Sequence, residues 1–545
     1  MGSLRLPLAV VVLSPAVLLL AGVGASAQQT DVQDSVDRRV VTAAVQVTRN
    51  PDPARAHASP QIARNPVTGE FVVAETEVRA ERTCDVHVST DDGRSWSPGG
   101  DPMLEPWTDC SGDPDANVNF WLEFDRDGVL YMAFPANDPE DQTLPKAERQ
   151  RHIFLARSED SGRTFDTTMV WEAPKAGELD GGGSRNGRTW VAVDPNDPRY
   201  VYVTWMNWWK VGEEDRNRAM LAASSDGGQT FAEPVSLGAE DESWYEPRPA
   251  VDGNGAVHVV FPSRQYTVPE GQEAIRSAYH RVSTDHGKTW SQQRLVDEGG
   301  IGTGFARKWG LEADPRSNVL YVVWYGNTDP RAVASADDEL PDDDRDILVR
   351  VSTDSGRSWS EPRVVNDDIP GVPNFHPGLS IAPNGRLDVA WLDFRNDPNP
   401  ADRGGLQDVF YSSSTDQGQT FSADLRISDR SIDRQFGVWS NSVDIHAPVG
   451  ITSTNDSVYF VWQDSRNARP EGSAEDVYFA SLKLNGTVQL AGTTGSATSG
   501  LERLPWWAVA ASALLLGMGL AMAIAYGVAR YAGSKRQVSR ADRRL

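Results

Sequence analysis

The sequence predicts an all-β protein: a closed ring of four-stranded units, followed by one membrane-crossing helix. Three observations carry this. An eight-residue turn pattern recurs six times, and a β-branched, aromatic strand recurs seven times. Near the C-terminus, one run of 25 residues carries no charge. The first two mark a repeat array, and the third is long enough to span a bilayer.

The turn pattern is Ser89–Trp96, and it returns at Ser158–Phe165, Ser224–Phe231, Ser283–Trp290, Ser352–Trp359 and Ser414–Phe421. Every copy reads S-x-D-x-G-x-[ST]-[WF], spaced by 69, 66, 59, 69 and 62 residues. The aspartate can accept hydrogen bonds from backbone N–H groups of a tight turn. The glycine supplies a positive φ, and the terminal ring buries a large apolar surface.

Around each turn the strands recur. The second strands are Glu70–Glu77, Val129–Pro135, Tyr200–Trp205, Ala256–Phe261, Val319–Trp324, Leu387–Trp391 and Ser457–Trp462. The third strand runs into the turn and the fourth follows it. The seventh unit ends with Val477–Leu484 as its third strand and lacks both the turn and a fourth strand. Val40–Thr48 has the alternation of a fourth strand, so it is expected to complete that unit and close the ring. Closure removes the exposed edges that an open array would leave.

The S-x-D-x-G-x-[ST]-[WF] turn is the Asp box, and over residues 40–486 the sequence resembles the sialidase-like Asp-box (bacterial neuraminidase repeat) β-propellers. The resemblance implies a β-propeller of four-stranded blades. Seven blades are expected here, with the six typical of sialidases as the alternative. It also implies a glycan-directed function, either an exo-sialidase type of glycoside hydrolase or a non-catalytic propeller. The latter would bind glycan or a cell-surface protein, or serve in envelope assembly.

Two connections leave each blade on the face opposite the Asp boxes, and these are long and irregular, as functional loops on a rigid scaffold are. At the inner-strand entrances on that face, the equivalent positions are Ser59, Asn119, Arg188, Glu246, Lys308, His376 and Ala447. With Trp190, Tyr245, Arg248, Arg307 and Trp309 beside them, they give an arginine-rich and aromatic tunnel mouth. Guanidinium forks pair with carboxylates, so this mix suits an acidic sugar. Arg188, Trp190, Tyr245, Arg248, Trp309, His376 and Arg395 are the expected ligand-binding residues.

In the resemblance, Glu246-Pro247 and Ser263-Arg264 match the family's Glu…Ser-Arg stretch, which assigns Glu246 and Arg264 to the catalytic set. Arg307 joins them as a carboxylate-binding arginine, and Asp113 as an acid/base by location. The chain departs from the family at His57-Ala58-Ser59-Pro60, where Ala58 stands in place of an arginine. It shows no clear tyrosine nucleophile, which the family uses in place of the usual carboxylate nucleophile. Asp393-Phe394-Arg395 and Asp464-Ser465-Arg466 recur in two blades, which favours a structural Asp–Arg pair.

The ends of the chain set an address. Met1–Ala27 has Arg5, an apolar run and a small-residue site at Ala25-Ser26-Ala27, and reads as a signal peptide (1–27). Residues 487–504 read as a flexible tether. Residues 505–529 read as a transmembrane helix opened by Trp506 and Trp507, and residues 530–545 as a basic cytoplasmic tail. The expected protein is single-pass in the cell membrane, with its body extracellular.

Formal charge is −25, from 52 basic and 77 acidic side chains. With +5 in residues 501–545 and +1 in residues 1–27, the stretch between carries −31. Such a body repels nucleic acid, so no nucleic-acid partner is expected. The two cysteines, Cys84 and Cys110, flank the first Asp box, and in an oxidising compartment they are expected to form a disulfide. No metal ligand set is assigned. Calcium is left open as a cofactor by the acidic runs Asp337-Asp338-Glu339 and Asp342-Asp343-Asp344, though no spacing there matches a defined calcium loop.

Overall fold

The structure is a computed structural model. It describes residues 40–52, 55–77, 83–103, 105–107, 110, 120–140, 150–174, 185–211, 214–238, 243–244, 246–264, 277–297, 309–326, 345–398, 405–436, 448–469 and 474–484. The chain divides into two units, Met1–Gly486 and Thr487–Leu545, and all described residues belong to the first. The expected signal peptide, tether, transmembrane helix, basic tail and acidic runs lie outside the described residues. Among the described residues no helix is long and apolar enough to cross a membrane.

The body is a seven-bladed β-propeller: seven antiparallel sheets whose inner strands surround a central tunnel. The inner strands are His57–Arg64, Trp121–Phe124, Arg185–Val193, Arg248–Val251, Trp309–Ala313, Asn374–Ile381 and Gly450–Ser453. Second strands such as Phe71–Glu77, Leu387–Asp393 and Ser457–Asp464 are buried at every position. That explains their near-continuous apolar sequence, since a neighbouring blade covers each face. The cores accordingly lie between blades. One cluster joins Val323, Val349 and Tyr325 of blade five to Val389 and Trp391 of blade six. Another joins Val461 and Phe479 of blade seven to Ile62, Phe71 and Val73 of blade one.

The seventh blade is closed by the N-terminal segment. Val40–Val41 and Val45–Gln46 pair antiparallel with Asp476–Lys483 as its outermost strand. The seam is reinforced by Thr48 Oγ1 donating to Asp476 Oδ1 at 3.1 Å and by Arg55 donating to both Asp476 oxygens at 2.6 and 2.7 Å. The first and last described strands of the propeller thus share one sheet, the seventh.

Each Asp box has the same geometry. In the third copy, Asp226 Oδ1 accepts from the Thr230 N–H at 2.9 Å and the Ser224 hydroxyl at 2.7 Å, and Asp226 Oδ2 accepts from the Thr230 hydroxyl at 2.6 Å. The two residues after the aspartate are left-handed, with φ of 59° at Asp92 and 79° at Gly93 in the first copy. Gly93 has a second reason to be glycine: a Cβ there would sit 2.1 Å from the Phe479 ring of blade seven. The carboxylates are consumed in holding the turns.

Cys84 and Cys110 are joined by a disulfide with a Cα–Cα distance of 5.9 Å, which ties the third strand of blade one to the connection after it.

Candidate functional site at the tunnel mouth

The inner-strand entrances share an unusual backbone. Ser59, Arg188, Glu246 and His376 have φ of 54°, 56°, 30° and 55°. Non-glycine residues rarely adopt this region, and each costs on the order of 1–3 kcal/mol. They are the described members of the set of positions aligned from sequence; Asn119, Lys308 and Ala447 lie outside the described residues. In blades one, three and six the strand ladder shifts register at this residue, between Ala58 and Gln61, Gly187 and Trp190, and Phe375 and Gly378. The kink falls on a polar residue near the start of each of these inner strands.

Two of these side chains meet. The Arg188 guanidinium is ion-paired with the Glu246 carboxylate of the next blade, and the Arg248 guanidinium lies 3.8 Å from the other Glu246 oxygen. Arg248 is buried, with its guanidinium carbon 4.8 Å from the Trp190 ring, 5.0 Å from Trp309 and 6.0 Å from Trp121. Burial, and then the neighbouring Arg188, push it down to about 9, so it remains a cation at neutral pH. The indoles therefore cage a cation through their ring faces. Trp190 and Trp309 are themselves buried. Arg188 is the more accessible cation of the pair, its side chain 18% exposed.

Behind this cluster the tunnel opens into a cavity of about 520 Å³, lined by inner-strand residues. Glu123 and Glu312 line it at equivalent positions of blades two and five. Burial raises Glu312 to about 8, only partly countered by Arg248. Burial, and then Glu312, raise Glu123 well above the usual carboxyl range, although its Oε1 accepts from the Val193 N–H at 3.3 Å. The sequence reading missed both acids and Trp121. The available signal was an acidic residue in an apolar inner strand at the same offset in two blades.

The other expected site residues are distributed differently. His376 is buried, edge-on to Tyr325 at 5.8 Å between ring centroids. Arg264 ends the second strand of blade four, where its backbone pairs with Ser243; its side chain lies outside the described set, as do Asp113, Tyr245 and Arg307. Arg395 is engaged by Asp393 at 2.7 Å, Asp424 at 2.6 Å and Asp367 at 3.1 Å, and it stacks over Phe410. Arg466 repeats this on Asp464 and Asp429, at 2.7 and 2.9 Å. The Asp-x-Arg sequence thus builds a clamp in both blades, with Asp367 and Asp429 supplied by the connections that lead in from the preceding blades.

The family model for the BNR/Asp-box repeat matches residues 281–292, which contain the fourth box. A search of curated proteins finds no match. Among solved structures, the chain is similar to an α-L-arabinofuranosidase from Fusarium graminearum, with 11% identity, 64% of this chain and 92% of that one covered, and a TM-score of 0.42. It is similar to an endosialidase of phage phi92, with 10% identity, 84% and 71% covered, and a TM-score of 0.44. It is also similar to an ulvan lyase, with 11% identity, 78% and 93% covered, and a TM-score of 0.47. All three neighbours are glycan-active enzymes by name. Six boxes of one geometry, a repeat-model match on the fourth and seven closed blades make this chain an Asp-box β-propeller.

Proposed function

We propose that the protein is a membrane-anchored, extracellular propeller that engages an acidic glycan at its tunnel mouth. The observation that carries this is the Arg188–Glu246–Arg248 cluster, built on left-handed backbone and backed by three indoles. Backbone strain held at equivalent strand heads is a mark of functional sites. Two guanidiniums against one carboxylate leave a net positive centre inside a strongly acidic body, which favours a ligand carboxylate. Arg264 and Arg307 are assigned to the same surface by their positions in the sequence.

The anchored, extracellular placement rests on the signal-like start, the uncharged run 505–529 and the basic tail. The disulfide is in keeping with an oxidising compartment. Protease added to intact cells should release a soluble body close to residues 28–500, and full protection would reverse the topology.

A sialidase-type hydrolase is the second reading, with Glu246 and Asp113 in its chemistry; the Glu…Ser-Arg match at Glu246 and Arg264 favours it. One experiment addresses both. The propeller is screened against carboxylated and neutral glycans while hydrolysis of sialosides is measured in parallel. Preferential binding of carboxylated glycans, lost in Arg188→Ala and Arg307→Ala, is expected. Equal binding of neutral glycans, or binding only to a protein partner, would overturn the acidic-glycan reading.

A further inference from the structure

Blade one carries a second cluster, independent of the tunnel mouth. Glu75 on the second strand pairs directly with Asp85 on the third, and His87 lies two residues further along that strand on the same face. His57, at the head of the inner strand, reaches the same spot: its Nδ1 is 2.8 Å from Glu75 Oε1, and His87 Nε2 is 3.2 Å from the same oxygen. One donor atom each from His57, Glu75 and Asp85 falls within 4.8 Å of the others.

Hydrogen bonding within the cluster does not use up its donors and acceptors. Both histidines address Glu75 Oε1, while Glu75 Oε2 and His57 Nε2 are buried without a partner. Glu75 is 0% and His57 1% exposed. Glu77 and Asp476 add further negative potential at His57. A cavity of about 1010 Å³ beside the disulfide is lined by His57, Asp85, His87 and Trp107, and offers a route in.

We propose that His57, Glu75, Asp85 and His87 form a binding site for one Zn²⁺ ion. Donors around a tetrahedral ion at about 2.0–2.2 Å lie roughly 3.3–3.6 Å apart, so side-chain rotations bring His57, Glu75 and Asp85 to that spacing, and His87, 3.2 Å from Glu75 Oε1, turns in as the fourth ligand. Two imidazoles and two carboxylates match the charge of a divalent ion. Imidazole nitrogen selects zinc over calcium or magnesium, which take oxygen. The site lies where the ring closes. His57 follows Ala56, which bridges to Glu475 of blade seven, and its backbone N–H donates to the Glu475 carbonyl at 3.2 Å. A bound ion therefore fastens the first inner strand beside the seam between the first and last strands of the propeller.

The test uses the full chain, stripped with a chelator and titrated with Zn²⁺, with Ca²⁺ in a separate arm and Co²⁺ as a spectroscopic probe. The expected result is one Zn²⁺ per chain, a raised melting temperature, and a visible Co²⁺ spectrum of tetrahedral nitrogen and oxygen ligation. His57→Gln and the less buried His87→Gln should each weaken binding by at least about 100-fold, since even outer-shell partners are worth 10- to 100-fold. Circular dichroism checks that each variant is folded. No stoichiometric Zn²⁺ binding by the folded chain, a preference for Ca²⁺, or unchanged affinity in a folded His87→Gln protein would overturn the proposal. None of these outcomes bears on the glycan reading.

Discussion

Arg188 of blade three and Glu246 of blade four are ion-paired across the boundary between adjacent blades, and both stand on left-handed backbone. Glu246 therefore restrains the cation best placed to meet a ligand. Glu246→Gln should leave the site more cationic and tighten a carboxylated glycan several-fold. Arg188→Ala should weaken it by about 10- to 150-fold, the worth of one charged hydrogen bond. Equal losses of affinity in both variants would show that Glu246 contacts the ligand itself.

The Asp-box carboxylates hold turns and face away from the tunnel mouth. Asp226→Ala removes acceptors for the Thr230 N–H and for the Ser224 and Thr230 hydroxyls. It should cost about 1–3 kcal/mol of stability and leave glycan affinity unchanged. Chemical denaturation and a binding isotherm on the same preparation decide this. A stable variant that has lost its ligand would place the site on the wrong face.

Ring closure depends on strands that flank Thr42 and Val47. Their N–H groups donate to the Ser481 and Val477 carbonyls at 2.9 and 2.8 Å. Deleting residues 40–48 exposes the edge of Asp476–Lys483 and uncovers the Val461 and Phe479 side of the last core. Unfolding should become broad and begin at lower temperature. A calorimetric transition as sharp as that of the intact chain would refute closure by this segment.

The tunnel acids predict a pH dependence. Glu312 is raised from 4.5 to about 8, so the folded state binds this proton more tightly than the unfolded chain. The stability it contributes is fully present below about 4.5 and is lost as pH rises through about 8; Glu123 acts in the same direction. Glu312→Gln keeps the volume and removes the titration. Its melting temperature relative to wild type should therefore climb from about pH 5 and level off above about pH 8. A difference that stays flat across that range would mean that Glu312 does not titrate there.

The disulfide closes 26 residues of sequence around the first Asp box. In the loop-entropy model this stabilises the fold by roughly 3–4 kcal/mol. Replacing both cysteines with alanine should lower the denaturation midpoint accordingly, and blade one should become the first region to lose amide protection in hydrogen exchange. Uniform loss across all blades would speak against a local role.

Much of the architecture is legible locally. The Asp box writes its turn in eight consecutive residues, and the second strands announce themselves by β-branched and aromatic runs. Blade count and order therefore follow from sequence, as does the return of Val40–Thr48 to the last sheet. The same alignment located the strand heads at Ser59, Arg188, Glu246 and His376, because equivalent positions in a repeat occupy equivalent places in space.

What lies between blades is another matter. Arg188 and Glu246, Glu123 and Glu312, or Arg248 and its three indoles stand far apart in sequence, and no local rule states which will touch. Whether Arg395 is a ligand arm or a clamp was equally undecided until Asp424 and Asp367 were seen against it. His57, Glu75 and His87 come from three different strands and meet only because the blade-one register sets Glu75 opposite Asp85. Turn and strand formation are decided by short-range backbone preferences, which the sequence carries openly. Charge pairing and burial at the tunnel are decided by ring closure, which brings distant strand heads within a few ångströms and excludes the water that would otherwise have satisfied them.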